Sequence, residues 1–196
     1  YNPVPDSDFI DGVFVPDGEA GPVQITSSGH TFACPDTRGV FTHEIAVYKG
    51  LLENQKTSVP QFIIDGKKLE KESLVFLHSN VGITFDLRTI HESLPQLDLK
   101  GFKTKAGFPD IQITDEVVPD IDLWILVDGQ IRYQRQGVKI EDGIITIDIN
   151  LSARDRFLTL IVTEGIESTS RKRRFPWGND SFFLIDPELT LTEKTK

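Results

Sequence analysis

The sequence predicts an all-β fold, a β-sandwich of the jelly-roll kind with one or two short helices. Three observations carry that expectation. Apolar and polar residues alternate over short runs along the chain, the period-2 signature of half-buried strands. Asp-Gly, which readily adopts the positive φ of tight turns, punctuates those runs at Asp11-Gly12, Asp17-Gly18, Asp65-Gly66, Asp128-Gly129 and Asp142-Gly143. Helical periodicity is confined to two brief stretches.

In chain order, Gly12 to Val15 and Pro22 to Thr26 read as strands separated by turns, without a shift in composition that would set them apart as a domain. Leu51 to Lys56 is a weak helix candidate. From Phe76 to Leu87, a polar loop of His78, Ser79 and Asn80 opens onto a strand whose Ile83, Phe85 and Leu87 face the core while Thr84 and Asp86 face outward. Leu87, Ile90, His91 and Leu94 then share one helical face, and Pro95 stops that helix.

The Asp128-Gly129 turn predicts a hairpin of Asp122–Val127 with Gln130–Gln134, setting Leu126 opposite Ile131 and Trp124 opposite Tyr133 on an inward face. Leu123, Ile125 and Val127 form its other face, partly covered by the stem of Arg132. A second hairpin is expected about Asp142-Gly143, with Ile145, Ile147, Ile149 and Leu151 on one face. Leu158, Leu160 and Val162 are the expected inward set of the next strand. Ser181 to Ile185 reads as the last core strand, stopped before Pro187, and Thr190 to Lys196 as a frayed polar end.

A chain of 196 residues with 38% hydrophobic and 26% charged residues can bury a core without staples. The formal net charge of -9 argues against a nucleic-acid or anionic-membrane surface, either of which needs a broad basic patch. Cys34, as the single cysteine, excludes an internal disulfide and a multi-cysteine zinc site. No apolar run approaches the ~20 residues of a membrane span, so no membrane insertion is expected. The chain opens on Tyr1 and contains no methionine, which reads as a domain cut from a longer polypeptide with other domains. No Gly-x-Ser-x-Gly, His-Glu-x-x-His or phosphate-binding glycine loop is present, so no enzyme is expected, and a sandwich-fold glycosidase would need a facing pair of carboxylates.

Five segments in order then resemble the NPCBM family of carbohydrate-binding modules: Leu77 to Leu87, Phe102 to Gly107, Trp124 to Gly129, Arg156 to Thr163 and Asp180 to Leu189. The resemblance covers roughly residues 72 to 189, and residues 8 to 50, opening with Asp8 to Gly18, are similar to the lead-in of bacterial members. It implies one galactose-binding-like jelly roll over residues 1–189, followed by a polar end, 190–196. It also implies a non-catalytic module that binds a glycan and belongs to a larger extracellular, periplasmic or cell-surface protein. The chain departs from the family at Phe175-Pro176-Trp177-Gly178-Asn179-Asp180, a rearranged segment preceded by the basic run Arg171 to Arg174. The alternative reading is a structural or protein-interaction domain that has lost sugar binding.

Lectin-like jelly rolls bind at one end of the sandwich, an aromatic ring stacking on the sugar while amides, carboxylates and imidazoles satisfy its hydroxyls. Trp177 is the expected platform and His78, Asn80, Asp110, Asn179 and Asp180 the expected polar contacts. The plainer alternatives are a ring capping the core for Trp177, a loop brace for His78 and a turn aspartate for Asp110. No cofactor is expected beyond a structural calcium, for which Asp110, Asp115, Glu116, Asp120 and Asp122 are the acidic candidates, without the spacing of a dedicated calcium loop. His30, Cys34 and His43 fall at spacings unrelated to any metal motif. The basic run reads either as a hold on an acidic glycan or as an exposed loop.

Overall fold

The computed structural model describes residues 1–16, 18–37, 45–49, 63–69, 72–110, 119–168 and 181–194. The chain begins with β1 (Asn2–Pro3), β2 (Ile10–Phe14), β3 (Gly21–Gln24), β4 (Thr31–Cys34) and β5 (Ile45–Lys49). Two short strands, β6 (Ile63–Ile64) and β7 (Lys67–Lys68), precede β8 (Ser73–Leu77) and β9 (Val81–Asp86). Helix α1 (Leu87–Ser93) leads into β10 (Leu97–Gly107), β11 (Ile121–Val127) and β12 (Gln130–Val138). The last strands are β13 (Ile145–Asn150), β14 (Phe157–Glu164) and β15 (Phe182–Glu193).

Among the described residues these form a six-stranded sheet, β1-β2-β9-β14-β11-β12, and a five-stranded sheet, β13-β10-β15-β8-β5. All pairings within them are antiparallel. The main core lies between the two sheets, where Ile83, Leu123, Ile125, Leu158, Leu160 and Val162 meet Val75, Phe102, Ile147, Ile149, Phe182 and Leu184. The fold is the expected all-β sandwich with one short α-helix. Helix α1 starts where the sequence places it, because the Asp86 carboxylate accepts the Thr89 N–H at 3.0 Å and caps it. The helix candidate at Leu51 to Lys56 lies outside the described residues.

Both sheets also carry cover on their outer faces, which the alternation pattern does not reveal. The β3–β4 hairpin lies on the six-stranded sheet, where Ile25 and Phe32 pack with Phe14, Trp124, Leu126 and Ile161. Thr84, expected in solvent, is therefore buried, and its hydroxyl donates to the Ile25 carbonyl at 2.6 Å. Gly82 has no room for a side chain, because a Cβ there would drive into the buried Phe14 ring. On the other sheet, Ile64 and Leu69 of the β6–β7 region cover Leu74, Phe76, Phe183 and Ile185.

The β11–β12 hairpin corrects two expectations. Leu126 does oppose Ile131, but Ile125 opposes Tyr133 and Trp124 opposes Gln134, since Arg132 is an extra residue that bulges the ladder. The face of Trp124 and Leu126 is covered by the N-terminal hairpin, while Leu123, Ile125 and Val127, expected to be half covered, line the main core. The second hairpin does not form. After Val138 a 3-10 turn, Ile140–Asp142, carries the chain across to the other sheet, where β13 pairs with β10. The Asp142 carboxylate holds that crossing by accepting from the Lys139 N–H at 2.9 Å and from the Arg135 guanidinium at 2.8 Å. The alternation of Ile145, Ile147 and Ile149 stands, with Thr146, Asp148 and Asn150 exposed.

The final strand does not stop before Pro187. β15 runs to Glu193, and a register shift against β10 at Asp186 and Pro187 absorbs the proline, which has no N–H for the ladder. Asp186 takes φ 47 there, and its carboxylate accepts the Ser73 N–H at 2.8 Å. Leu189 and Leu191 pack on the core, so Thr190 to Glu193 is sheet rather than a frayed end.

At the N-terminus the Tyr1 hydroxyl donates to the Asp11 carbonyl at 2.7 Å and lies 2.8 Å from its carboxylate. Burial, then the hydrogen bond to Asp11, then its charge push the phenol up from 10.0 to about 12, with Ser27 opposing. The folded state thus holds a proton that the unfolded chain releases earlier, so this contribution is intact below pH 10 and is lost as pH rises toward 12. Denaturant unfolding across that window should show the natural chain losing stability faster with pH than Tyr1→Phe; parallel profiles would contradict the assignment.

Candidate functional site at the loop end of the sandwich

Strand register fixes which loops share an end. Val81 of β9 pairs with Val162 of β14, and Ile121 of β11 pairs with Glu164. In the other sheet Phe182 pairs with Leu77, and Phe183 with Gly107. The loop of His78 to Asn80, the connection after Gly107 and the connection from Gly165 to Ser181 therefore leave from one end of the sandwich. Trp177, Asn179, Asp180 and Arg171 to Arg174 lie outside the described residues. Ser168 and Ser181, which flank that stretch, are both at this end.

His78 is half-buried, with its ring edge-on to Phe76 at a centroid separation of 6.2 Å. Asn80 is fully buried and takes φ 65, a left-handed conformation that asparagine tolerates better than most residues. Its N–H donates to the Val162 carbonyl at 2.8 Å and its side-chain oxygen accepts the Glu164 N–H at 2.9 Å. Asn80 thus couples the β8–β9 loop to the point where β14 ends. Asp110 is exposed, and its carboxylate accepts the Asp65 N–H at 2.9 Å and the Gly66 N–H at 2.7 Å, bracing the β6–β7 turn.

Two fully buried carboxylates, Asp120 and Glu164, stand at the same end. Asp120 accepts the Glu167 N–H at 2.7 Å, and its backbone carbonyl accepts Gly165 N–H at 2.7 Å. A Cβ at residue 165 would collide with the Asp120 carboxylate, which explains the glycine. Glu164 accepts the Ser168 hydroxyl at 2.7 Å. In the sequence Asp120 is one acid of a run and Glu164 a lone acid after the apolar run Phe157–Thr163, and nothing local marks either as buried.

Of the acidic run, Asp110 braces a turn, Asp120 holds the Glu167 loop and Asp122 accepts the Gly137 N–H at 2.8 Å. Asp115 and Glu116 lie outside the described residues. Among the described residues, no three His, Cys, Asp or Glu side chains gather about one point. His30 instead sits 3.2 Å from the Thr26 and Ser28 hydroxyls, edge-on to Phe157, and Cys34 is buried.

No protein-family model matches the chain, and no curated protein does. Solved structures do. The CBM51 module of Clostridium perfringens GH95, in complex with methyl-galactose, aligns with TM-score 0.51 at 15% identity, over 92% of this chain and 94% of that one. The fold is that of a CBM51 module. The second such module of Clostridium perfringens ZmpB, solved with GlcNAc and INT domains, gives TM-score 0.52 at 13% identity over 92% of this chain. Tandem CBM51 modules of a family 98 glycoside hydrolase from Streptococcus pneumoniae give TM-score 0.50 at 16% identity over 76% of it. This chain spans 39% and 41% of those two larger structures.

Proposed function

We propose that this chain is a non-catalytic carbohydrate-binding module that takes a glycan at the loop end of its sandwich. One observation carries the reading: strand register sets the His78 loop and both flanks of the Trp177 stretch at one end of a fold shared with modules solved on methyl-galactose and GlcNAc. In this reading Trp177 is the stacking platform and His78, Asn179 and Asp180 meet sugar hydroxyls. Asn80 lies behind His78 as the residue that holds its loop, and Asp110 contributes at the rim beside the β6–β7 turn. The NPCBM resemblance, attachment to further domains and an extracellular or cell-surface setting belong to the same reading.

Calorimetric titration with methyl-galactose, GlcNAc and a glycan array tests it. Binding that Trp177→Ala abolishes with an unchanged melting temperature is the expected result; no binding to any glycan would overturn it. A second reading, a structural or protein-interaction domain without a sugar site, draws on the use of Asn80, Asp110 and Asp120 to bond the protein's own backbone N–H groups. It expects Trp177→Ala to unfold the domain.

A further inference from the structure

Away from the loop end, the sandwich holds a cavity of about 480 Å³ between its sheets. Val75, Phe102, Leu158 and Leu160 form its inner wall, and Phe9, 46% exposed, stands at its mouth. β8 pairs with β15 only from Phe182 to Ile185, whereas β15 continues with β10 to Glu193, so the cavity lies where β15 has passed beyond its pairing with β8. Among the described residues, the polar ones lining it are Ser93 and Glu188, both exposed at the rim.

We propose that this cavity is a second binding site, for the hydrocarbon chain of an uncharged amphiphile. Its volume falls in the range of about 300–1,000 Å³ typical of small-molecule sites. It opens to solvent at the Phe9 mouth, so its apolar wall faces water unless an apolar ligand covers it. Water is a poor filler, since its inner wall is hydrocarbon and has no polar groups to hold it. An uncharged head group is favoured over an anionic one, because the chain carries net charge -9 and the rim carries Glu188, which together repel an anion. The Ser93 hydroxyl donates to the Thr89 carbonyl at 2.9 Å and keeps acceptor capacity for a ligand hydroxyl.

The test titrates 1-octanol and octanoate into the full chain, following methyl signals by NMR. Saturable octanol binding that shifts Val75, Leu158 and Leu160, at least about tenfold tighter than octanoate, is expected; that ratio corresponds to about 1.4 kcal/mol. Leu160→Trp should fill the space and abolish binding, and Val75→Phe serves if the first variant does not fold. Absent or unsaturable binding overturns the proposal, as does equal affinity for octanoate. So do contacts from the Leu158 and Leu160 methyls to a segment of this chain that does not line the cavity or pack in the main core here, or to a second copy, which would show the space already filled.

Discussion

Trp124→Ala should destabilise the protein by about 3–5 kcal/mol, the range for truncating a buried large aromatic. The indole is 8% exposed and packs edge-on against Phe32 with ring centroids 5.2 Å apart, joining the N-terminal hairpin to the six-stranded sheet. Its N–H also donates to the Thr163 hydroxyl at 3.0 Å, a buried bond that an alanine leaves unmade. Trp124→Phe keeps the ring contact and loses that bond, so it should cost less, about 1 kcal/mol. Urea unfolding of both variants checks the order. A Trp124→Ala variant within about 1 kcal/mol of the natural chain would mean that the outer cluster carries no stability of its own, against its burial.

Asn80→Ala should cost about 2–5 kcal/mol, from two separable causes. The Glu164 N–H, buried and accepted by the Asn80 side chain at 2.9 Å, loses its acceptor, worth about 1–3 kcal/mol. Alanine must also hold φ 65, which costs about 1–2 kcal/mol for an L residue with an ordinary Cβ. Asn80→Gly removes the hydrogen bond but accepts the backbone freely, so it should be the more stable of the two variants. Equal stability, or a more stable alanine, would show that the left-handed backbone does not persist in solution. Because the same bond ties the His78 loop to the end of β14, both variants should also weaken any ligand held at that end.

Much of the sandwich is legible in the sequence, for local reasons. Ile145, Ile147 and Ile149 alternate with polar residues because one face of β13 meets the core and the other meets solvent. Leu87 and Ile90 mark α1 because the helix buries one stripe. What alternation cannot tell is which layer covers a face. Trp124 and Leu123 both read as buried, and only the β3–β4 hairpin, nearly a hundred residues earlier in the chain, decides that Trp124 lies outside the sandwich and Leu123 inside. Bulges are equally opaque: Arg132 and Gly137 shift the β11–β12 ladder through backbone geometry that leaves no periodic trace. At the loop end, His78 and Asn80 stand out as polar residues before a strand, but the partner of Asn80 is Glu164, and a bond between residues that far apart has no local signature. A lone buried acid such as Glu164 looks in sequence like any solvated one.

The direct test of glycan recognition at the loop end is amide NMR during titration with methyl-galactose and GlcNAc. The expected shifts gather on His78 to Gly82, Gly165 to Ser168 and the stretch holding Trp177, while Asp128, Arg156 and the cavity wall at Leu158 stay still. Shifts centred on Asp128 and Arg156 at the far end, or none at millimolar sugar, would contradict it.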